Sequence, residues 1–534
     1  MSRTSPYHIG RVFHWHAERR RQAVVHLDRP LDVAPAGGTE YDGAALARVV
    51  ERMSDCLYAA GLRAGDRVVV AKDNHFDQPL LAAGAARLGA LPVMIAPIES
   101  AETVRTLIDR AQPAVLVAGT RLLARADAAG VKLADPRIRT IAVGEPLAEP
   151  APDVLTLADL EGGATAPVRL GGTDDPMVST HTSGTTGVPK LVLHTAATAV
   201  GRFPARMERC AIPFLTTRHS DVTAAAVSFA HIRVLAWTAS QLKMAPRKIV
   251  AISDPGLPSV ERMLDRHRPT ILEAMPNMFQ RWEELADRRP ELFARVRLYV
   301  STFDAVHART IRTLLDASER RFPVWGWGLG QSEITGIMVN LFTRRTVRSR
   351  VDRCSVGLPA AMVRVRVVDP ATGRRQPRGK PGLLMVSTRA RCLTYLGEED
   401  RYQAKLTGRW WNSGDLGERI GWGRIRLLDR EVDMIPGHSC IELESILLDR
   451  LPHASDVTIL ARPDGPPVPV LSMRDDRLDP DDWARATAGL PELAAPRLVA
   501  WEDVPRTATW KVRRLALQQQ VLGTAEVIGT GRWT

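Results

Sequence analysis

Between Tyr41 and Gly119 the apolar residues switch repeatedly between two periods, and this constrains the fold more than any other feature of the chain. Leu46, Val49, Val50, Met53 and Leu57 recur at helical spacing, and Gly61 predicts the stop. "GDRVVVAK" follows as a short continuous apolar run, the pattern of a strand buried on both faces. The cycle repeats with "LLAAGAARLGA" as helix, "LPVMIA" as strand, "AETVRTLIDRA" as helix and "PAVLVAG" as strand. Such alternation predicts α/β architecture, because helices must cover the faces of a mainly parallel sheet. After Met362 the texture changes to "VRVRVVD", "GLLMVS" and "GRIRLL", strands joined by Gly-rich turns, which predict a β subdomain. A smaller α/β segment runs from about Asp429 to Thr534. A chain of 534 residues exceeds what one core needs. The expected organisation is a large N-terminal domain, residues 1–429, of layered parallel-rich sheets and helices plus the β subdomain. A small mobile α/β C-terminal domain, residues 430–534, follows it.

The apolar share of 45% and charged share of 25% are those of a soluble globular protein. Charges break "MSRTSPYHIGRVFHWHAERRRQ" too early for a secretory signal, and Arg87 and Pro92 interrupt the most apolar stretch, so no membrane association is expected. The cysteines, Cys56, Cys210, Cys354, Cys392 and Cys440, lie far apart without metal-ligand spacing, which predicts free thiols in a reducing cytoplasm. The net charge of +12 raises a nucleic-acid partner, but basic residues are spread along the chain and no nucleic-acid motif accompanies them. A basic surface with an anionic small substrate is favoured. Only eight of the 72 basic residues are lysines, so positions that keep Lys carry information.

One stretch has the composition of a phosphate grip: "THTSGTTGVPKLVLHT", Thr180 to Thr195. Thr182, Ser183, Thr185 and Thr186 surround Gly184 and Gly187, with Lys190 after Pro189. Backbone amides around glycines form an anion-binding nest and hydroxyls donate to phosphate oxygens. The order differs from the GxxxxGK[ST] loop, and Pro189 with "LVLH" points to a strand next, where that loop opens a helix. Read alone, the stretch could be a surface turn.

The full string resembles the [ST]SG[ST]TGxPK signature of the AMP-forming adenylate enzymes: acyl- and aryl-acid–CoA ligases, luciferases and peptide-synthetase adenylation domains. The resemblance implies that the loop grips the β- and γ-phosphates of ATP, and His194 matches a His common after it. "WGLGQSEITG", Trp327 to Gly336, is similar to the family's YGxTE segment. By that likeness Glu333 is a Mg²⁺ ligand, Ser332 lies near the α-phosphate, Gly330 lines the nucleotide, and Leu329 replaces an aromatic ring stacked on adenine. "WWNSGDLGERIGWGRIRLLDR" resembles the family's [ST]GD run, so Asp415 would take the ribose hydroxyls and Arg430 the ribose and phosphate, with Asp433 near the hinge. "VPRTATWKVRR" resembles PxTxxGK and puts Lys511, one of the eight lysines, at the adenylation lysine; Trp510 replaces the usual Gly, which implies a different local backbone. "SFAHIRVLAW" resembles a family segment whose His, here His231, borders the organic substrate, and a structural His is equally expected there. "YVSTFDA" sets Thr302, Phe303 and Asp304 where relatives carry Gly-Gly-Ala against adenine and substrate.

The implied reaction is attack of an oxyanion on the α-phosphate of Mg-ATP, giving an adenylate and pyrophosphate, with a second nucleophile displacing AMP. CoA as that nucleophile is an open point. Where CoA ligases of the family read like "DMIxxGGxNVxPxEIE", this chain has the shorter "DMIPGHSCIELE", with Pro436 and His438 disturbing the glycine pair. The first expectation is a ligase activating an aryl or small acyl acid for transfer to CoA, an amine or a carrier thiol. The alternative is an ATP-dependent diazotase of bacterial natural-product pathways, which adenylates nitrite and reacts it with an aryl amine. From another class, a non-catalytic nucleotide- or nucleic-acid-binding protein would have no reason to assemble Lys190, Glu333, Asp415 and Lys511.

Overall fold

The computed structural model describes residues 7–96, 100–146, 153–182, 188–201, 215–348, 356–430, 438–462 and 465–523. These fall into two compact units: one of residues 1–273, 332–335 and 389–404, the other of 274–331, 336–388 and 405–534.

In the first unit, an eight-stranded sheet runs in the order Thr394–Tyr395, Leu191–Thr195, Pro176–His181, Leu91–Ile95, Arg67–Ala71, Val115–Gly119, Arg139–Val143, Val154–Thr156. Its pairings are parallel from Pro176–His181 to Val154–Thr156 and antiparallel at the other edge. The helices Gly43–Ala59, Asp77–Arg87 and Ala101–Ala111 fall where the apolar period places them, and Gly61 takes φ 98° just past the first. Asp42 and Ser100 cap two of these helices, accepting from Ala45 N and Thr103 N. Val104, Leu107 and Ile108 of Ala101–Ala111 bury against Val69, Val93 and Leu116 of the sheet, so the helical stripe and the strand run close one core. A second set of parallel strands in this unit joins Val24–Leu27 to Lys248–Ala251 and Lys248–Ala251 to Val222–Ala226.

In the second unit, Leu298–Ser301 pairs parallel with Val324–Gln331. The predicted β subdomain is an antiparallel set: Arg364–Val368, Pro381–Ser387, Trp410–Arg419, Ile425–Arg430 and Val356–Pro359. The C-terminal segment adds the sheet Ala454–Leu460, Val468–Met473, Arg497–Leu498 and the helix Cys440–Arg450, whose Leu443 and Leu447 bury against Val457 and Ile459. It is held to residues 274–331 by side chains rather than strands. Gln280 Nε2 donates to Ser455 O (2.7 Å), Arg309 donates to the carbonyls of Leu448, Leu451 and Ala454 (2.7, 3.0 and 2.6 Å), and His307 Nδ1 meets Ser445 Oγ (2.8 Å).

Candidate active site

The first unit gathers Thr182, Lys190, His231, Ser332 and Glu333. Thr182 and Lys190 are joined directly: Thr182 N donates to Lys190 O (3.0 Å) and Lys190 N to Thr182 Oγ1 (3.1 Å). The strand predicted after Pro189 is Leu191–Thr195, antiparallel to Pro176–His181. Ser183, Gly184, Thr185, Thr186 and Gly187 lie outside the described residues, as does Asp433.

Glu333 is buried, and Tyr395 OH donates to its Oε1 at 2.5 Å. Burial, reinforced by the Glu333 charge, pushes the Tyr395 phenol far above its ordinary value, so it remains a donor. Lys190 Nζ stands 5.5 Å over the Tyr395 ring, placing a cation near this carboxylate. Glu333 forms no ion pair among the described residues, and its one hydrogen bond from a side chain comes from a neutral donor. One such carboxylate beside phosphate oxygens suits Mg²⁺.

Ser332 is held from two sides by histidines. His194 Nε2 lies 2.8 Å from the Ser332 carbonyl, which can only accept, and burial lowers this His to about 4. It is therefore neutral, with the proton on Nε2 and Nδ1 accepting from Thr198 Oγ1 (3.1 Å). His231 caps the helix Ile232–Met244, its Nδ1 accepting from Arg233 N (3.1 Å), so Nε2 carries the proton toward Ser332 Oγ (3.3 Å). The cap and the contact with Ser332 thus use different nitrogens of one His231 ring. Asn74, absent from every motif, fixes the approach to His231: it donates to Val227 O and Ser253 O and accepts from Phe229 N (3.0, 3.0 and 2.7 Å).

The second unit gathers Asp415, Arg430 and Lys511. Gln331 bridges toward Asp415, donating to its Oδ2 (2.9 Å) and to Ser413 O (2.7 Å), while Trp411 Nε1 donates to Gln331 Oε1 (3.3 Å). Arg430 Nε is 4.0 Å from Asp415 Oδ1. Burial raises the Asp415 carboxyl; the charges of Arg430, Lys511 and Lys405 oppose that. Trp325, Trp327 and Leu329 share the buried face of Val324–Gln331, leaving Gly326, Gly328 and Gly330 on the other. Thr302 Cγ2 lies 3.5 Å from where a Cβ on Gly328 would stand, so Thr302 covers part of this bare backbone. Thr302 Oγ1 has no hydrogen-bond partner among the described residues. Asp304 turns its carboxylate back onto Ala305 N (2.9 Å).

Two aromatic residues at positions where the family pattern reads Gly adopt positive φ: Phe303 at 85° and Trp510 at 59°. At Trp510 the turn lies in the left-handed region that glycine favours, and a Trp is held there.

The model of the AMP-binding enzyme family matches residues 13–396. The chain is 37% identical to 3-amino-2-hydroxy-4-methoxybenzoate diazotase of Streptomyces cremeus, over 98% of this chain and 97% of that protein. It is 27% identical to a 4-hydroxybenzoate–CoA/benzoate–CoA ligase of Rhodopseudomonas palustris, over 89% and 88%. An anthranilate CoA ligase solved with anthranoyl-AMP superposes with a TM-score of 0.78 at 19% identity, covering 96% of this chain and 97% of that one, and shares its α/β fold. The chain is an enzyme of the AMP-binding family, whose members are AMP-forming, ATP-using ligases and diazotases.

Proposed function

We propose that this chain is an ATP-dependent diazotase that adenylates nitrite and transfers the nitroso group to an aryl amine. The carrying observation is the 37% identity, spanning 98% of the chain, to a diazotase acting on an aminobenzoate. A nitrite oxygen attacks the α-phosphorus and pyrophosphate leaves. The amine nitrogen then attacks the nitroso nitrogen, the N–O bond to AMP breaks, and one amine proton is released. The resulting N-nitroso compound tautomerises, takes up a proton and loses water to give the diazonium.

In this reading Thr182, Lys190 and the stretch Ser183–Gly187 hold the β- and γ-phosphates, and Asp415 with Arg430 holds the ribose. Thr302, Phe303, Asp304 and Gly330 border the adenine and the organic substrate. Mg²⁺, held by Glu333 and phosphate oxygens, would offset charge on the leaving pyrophosphate. Ser332 offers its hydroxyl proton to the α-phosphate because His231 and His194 satisfy its oxygens. Lys511 offsets the charge of the two approaching anions. The segment from Arg430 onward acts as the small domain that brings Lys511 to the nucleotide, and Asp433 is its pivot.

The second reading is an aryl acid–CoA ligase, favoured by the 27% identical benzoate ligase and weakened by the short "DMIPGHSCIELE" stretch. The test is AMP and pyrophosphate release from Mg-ATP with nitrite, with and without aryl amines, beside aryl acids with and without CoA. The diazotase reading expects nitrite-dependent release coupled to loss of the amine. Release driven by an acid and accelerated by CoA would replace it with the ligase.

A further inference from the structure

The turn that carries Lys511 is held by several bonds. Arg506 and Val512 form its bridge, Thr507 N donates to Lys511 O (2.8 Å), and Trp510 N donates to Thr507 O (2.8 Å). The peptide group joining Trp510 to Lys511 is fixed at both ends: Asn277 Nδ2 donates to Trp510 O (2.6 Å), and Lys511 N donates to Thr507 Oγ1 (3.2 Å). The Trp510 ring stacks on Trp501, with centroids 5.4 Å apart and planes inclined by 19°. The Trp501 ring is itself flanked by the guanidiniums of Arg506 (4.6 Å) and Arg281 (5.4 Å). All this surrounds a residue whose φ of 59° a side chain with a Cβ avoids. Glycine would reach that φ freely but would leave the turn many other conformations. A strained residue held by several neighbours is typical of a functional constraint.

We propose that Trp510 is a positioning residue for Lys511: the Trp501 stack and the Asn277 hydrogen bond lock the 510–511 peptide plane and aim the lysine stem at the nucleotide. A lysine has a four-carbon flexible stem, so fixing its origin removes most of the conformations that miss the target. The influence of the Lys511 charge on Asp415 agrees with such an aim. The proposal rests on the reading of Lys511 as the adenylation lysine.

The test measures pyrophosphate release at varied ATP, driven by nitrite with an aryl amine or, if nitrite gives none, by an aryl acid, for Trp510→Gly, Trp510→Phe, Asn277→Ala and Lys511→Ala. We expect Trp510→Gly and Asn277→Ala to lower kcat about tenfold with the KM for ATP within about twofold. Glycine relieves the backbone strain as the stack is lost, so the melting temperature of Trp510→Gly should stay within about 3 °C. Trp510→Phe keeps a stacking ring and should recover kcat to within about threefold of the parent. An unchanged kcat in Trp510→Gly, with Lys511→Ala inactive, overturns the positioning role alone. A loss that follows the melting temperature and is not recovered by Phe also overturns it. Full activity of Lys511→Ala would instead remove the reading of Lys511, and the positioning role with it.

Discussion

Tyr395 OH lies 2.5 Å from Glu333 Oε1, so the candidate Mg²⁺ carboxylate is oriented by a neutral donor. Tyr395→Phe removes a hydrogen bond to a charged group, worth about 1.5–3 kcal/mol. The expected outcome is a Mg²⁺ requirement raised about tenfold or more, with most activity recovered at saturating Mg²⁺. Pyrophosphate release titrated against Mg²⁺ checks it; an unchanged Mg²⁺ dependence would separate Tyr395 from the metal.

His231 performs two tasks through two nitrogens, and substitution can divide them. Asn caps helices well, so His231→Asn should keep the cap on Ile232–Met244 while losing the contact with Ser332 Oγ. Its kcat should fall about five- to tenfold at an unchanged melting temperature, whereas His231→Ala should also lose about 1 kcal/mol of stability. Equal kcat for the parent and the Asn variant would sink the orienting role of His231.

Glu444 provides a pH signature. It is buried with Ile459 N and Arg514 Nη2 both 2.8 Å from Oε1, and burial lifts its carboxyl from 4.5 to about 7. Between those values the folded state holds more protons than the unfolded state, so stability falls as pH rises through this window. The loss from this group levels off above about pH 7, at a size of order 1–3 kcal/mol. Glu444→Gln keeps an acceptor for both donors and removes the titration. The parent's melting temperature should therefore drop more than the variant's between pH 5 and pH 8. Parallel curves would assign the titration elsewhere.

Lys72 is fully buried, with Nζ 2.7 Å from Asp32 Oδ2 and 2.8 Å from Asp77 Oδ1. Asp32, His75 and Asp77 could themselves hold a metal ion, but the ammonium already bonds both carboxylates. Burial pushes the Asp77 carboxyl up, yet Lys72 and His75 hold it well below its ordinary range. Lys72→Met leaves the buried Asp77 carboxylate without its ammonium, while Asp32 keeps Arg29, and should cost about 3–5 kcal/mol. Adding Asp77→Asn should recover part of that. Thermal melts with and without added divalent ions check both points, since a large metal-dependent shift in the parent would contradict the ammonium's place.

The elements of the first unit were legible because periodicity is a local property: "AETVRTLIDRA" is the helix Ala101–Ala111 residue for residue, and "PAVLVAG" contains Val115–Gly119. The strand after Pro189, the β subdomain after Met362 and the family itself were legible for the same reason, being carried by short strings. Partnership was not. Tyr395 and Glu333 are 62 residues apart in the chain, and nothing in "CLTYLG" announces a hydrogen bond to a motif carboxylate. Asn74, Gln331 and Asn277 act through amide groups whose partners are backbone and side-chain atoms brought close only by folding. At Trp510 no local pattern predicts a positive φ for a residue with a Cβ; the contacts of Trp501 and Asn277, made only on folding, accompany it there. Composition and spacing thus determined the elements, the motifs and the chemistry they could serve. Which side chains orient those motifs was decided by packing, because hydrogen bonds and ring stacks depend on positions in space that no local pattern encodes.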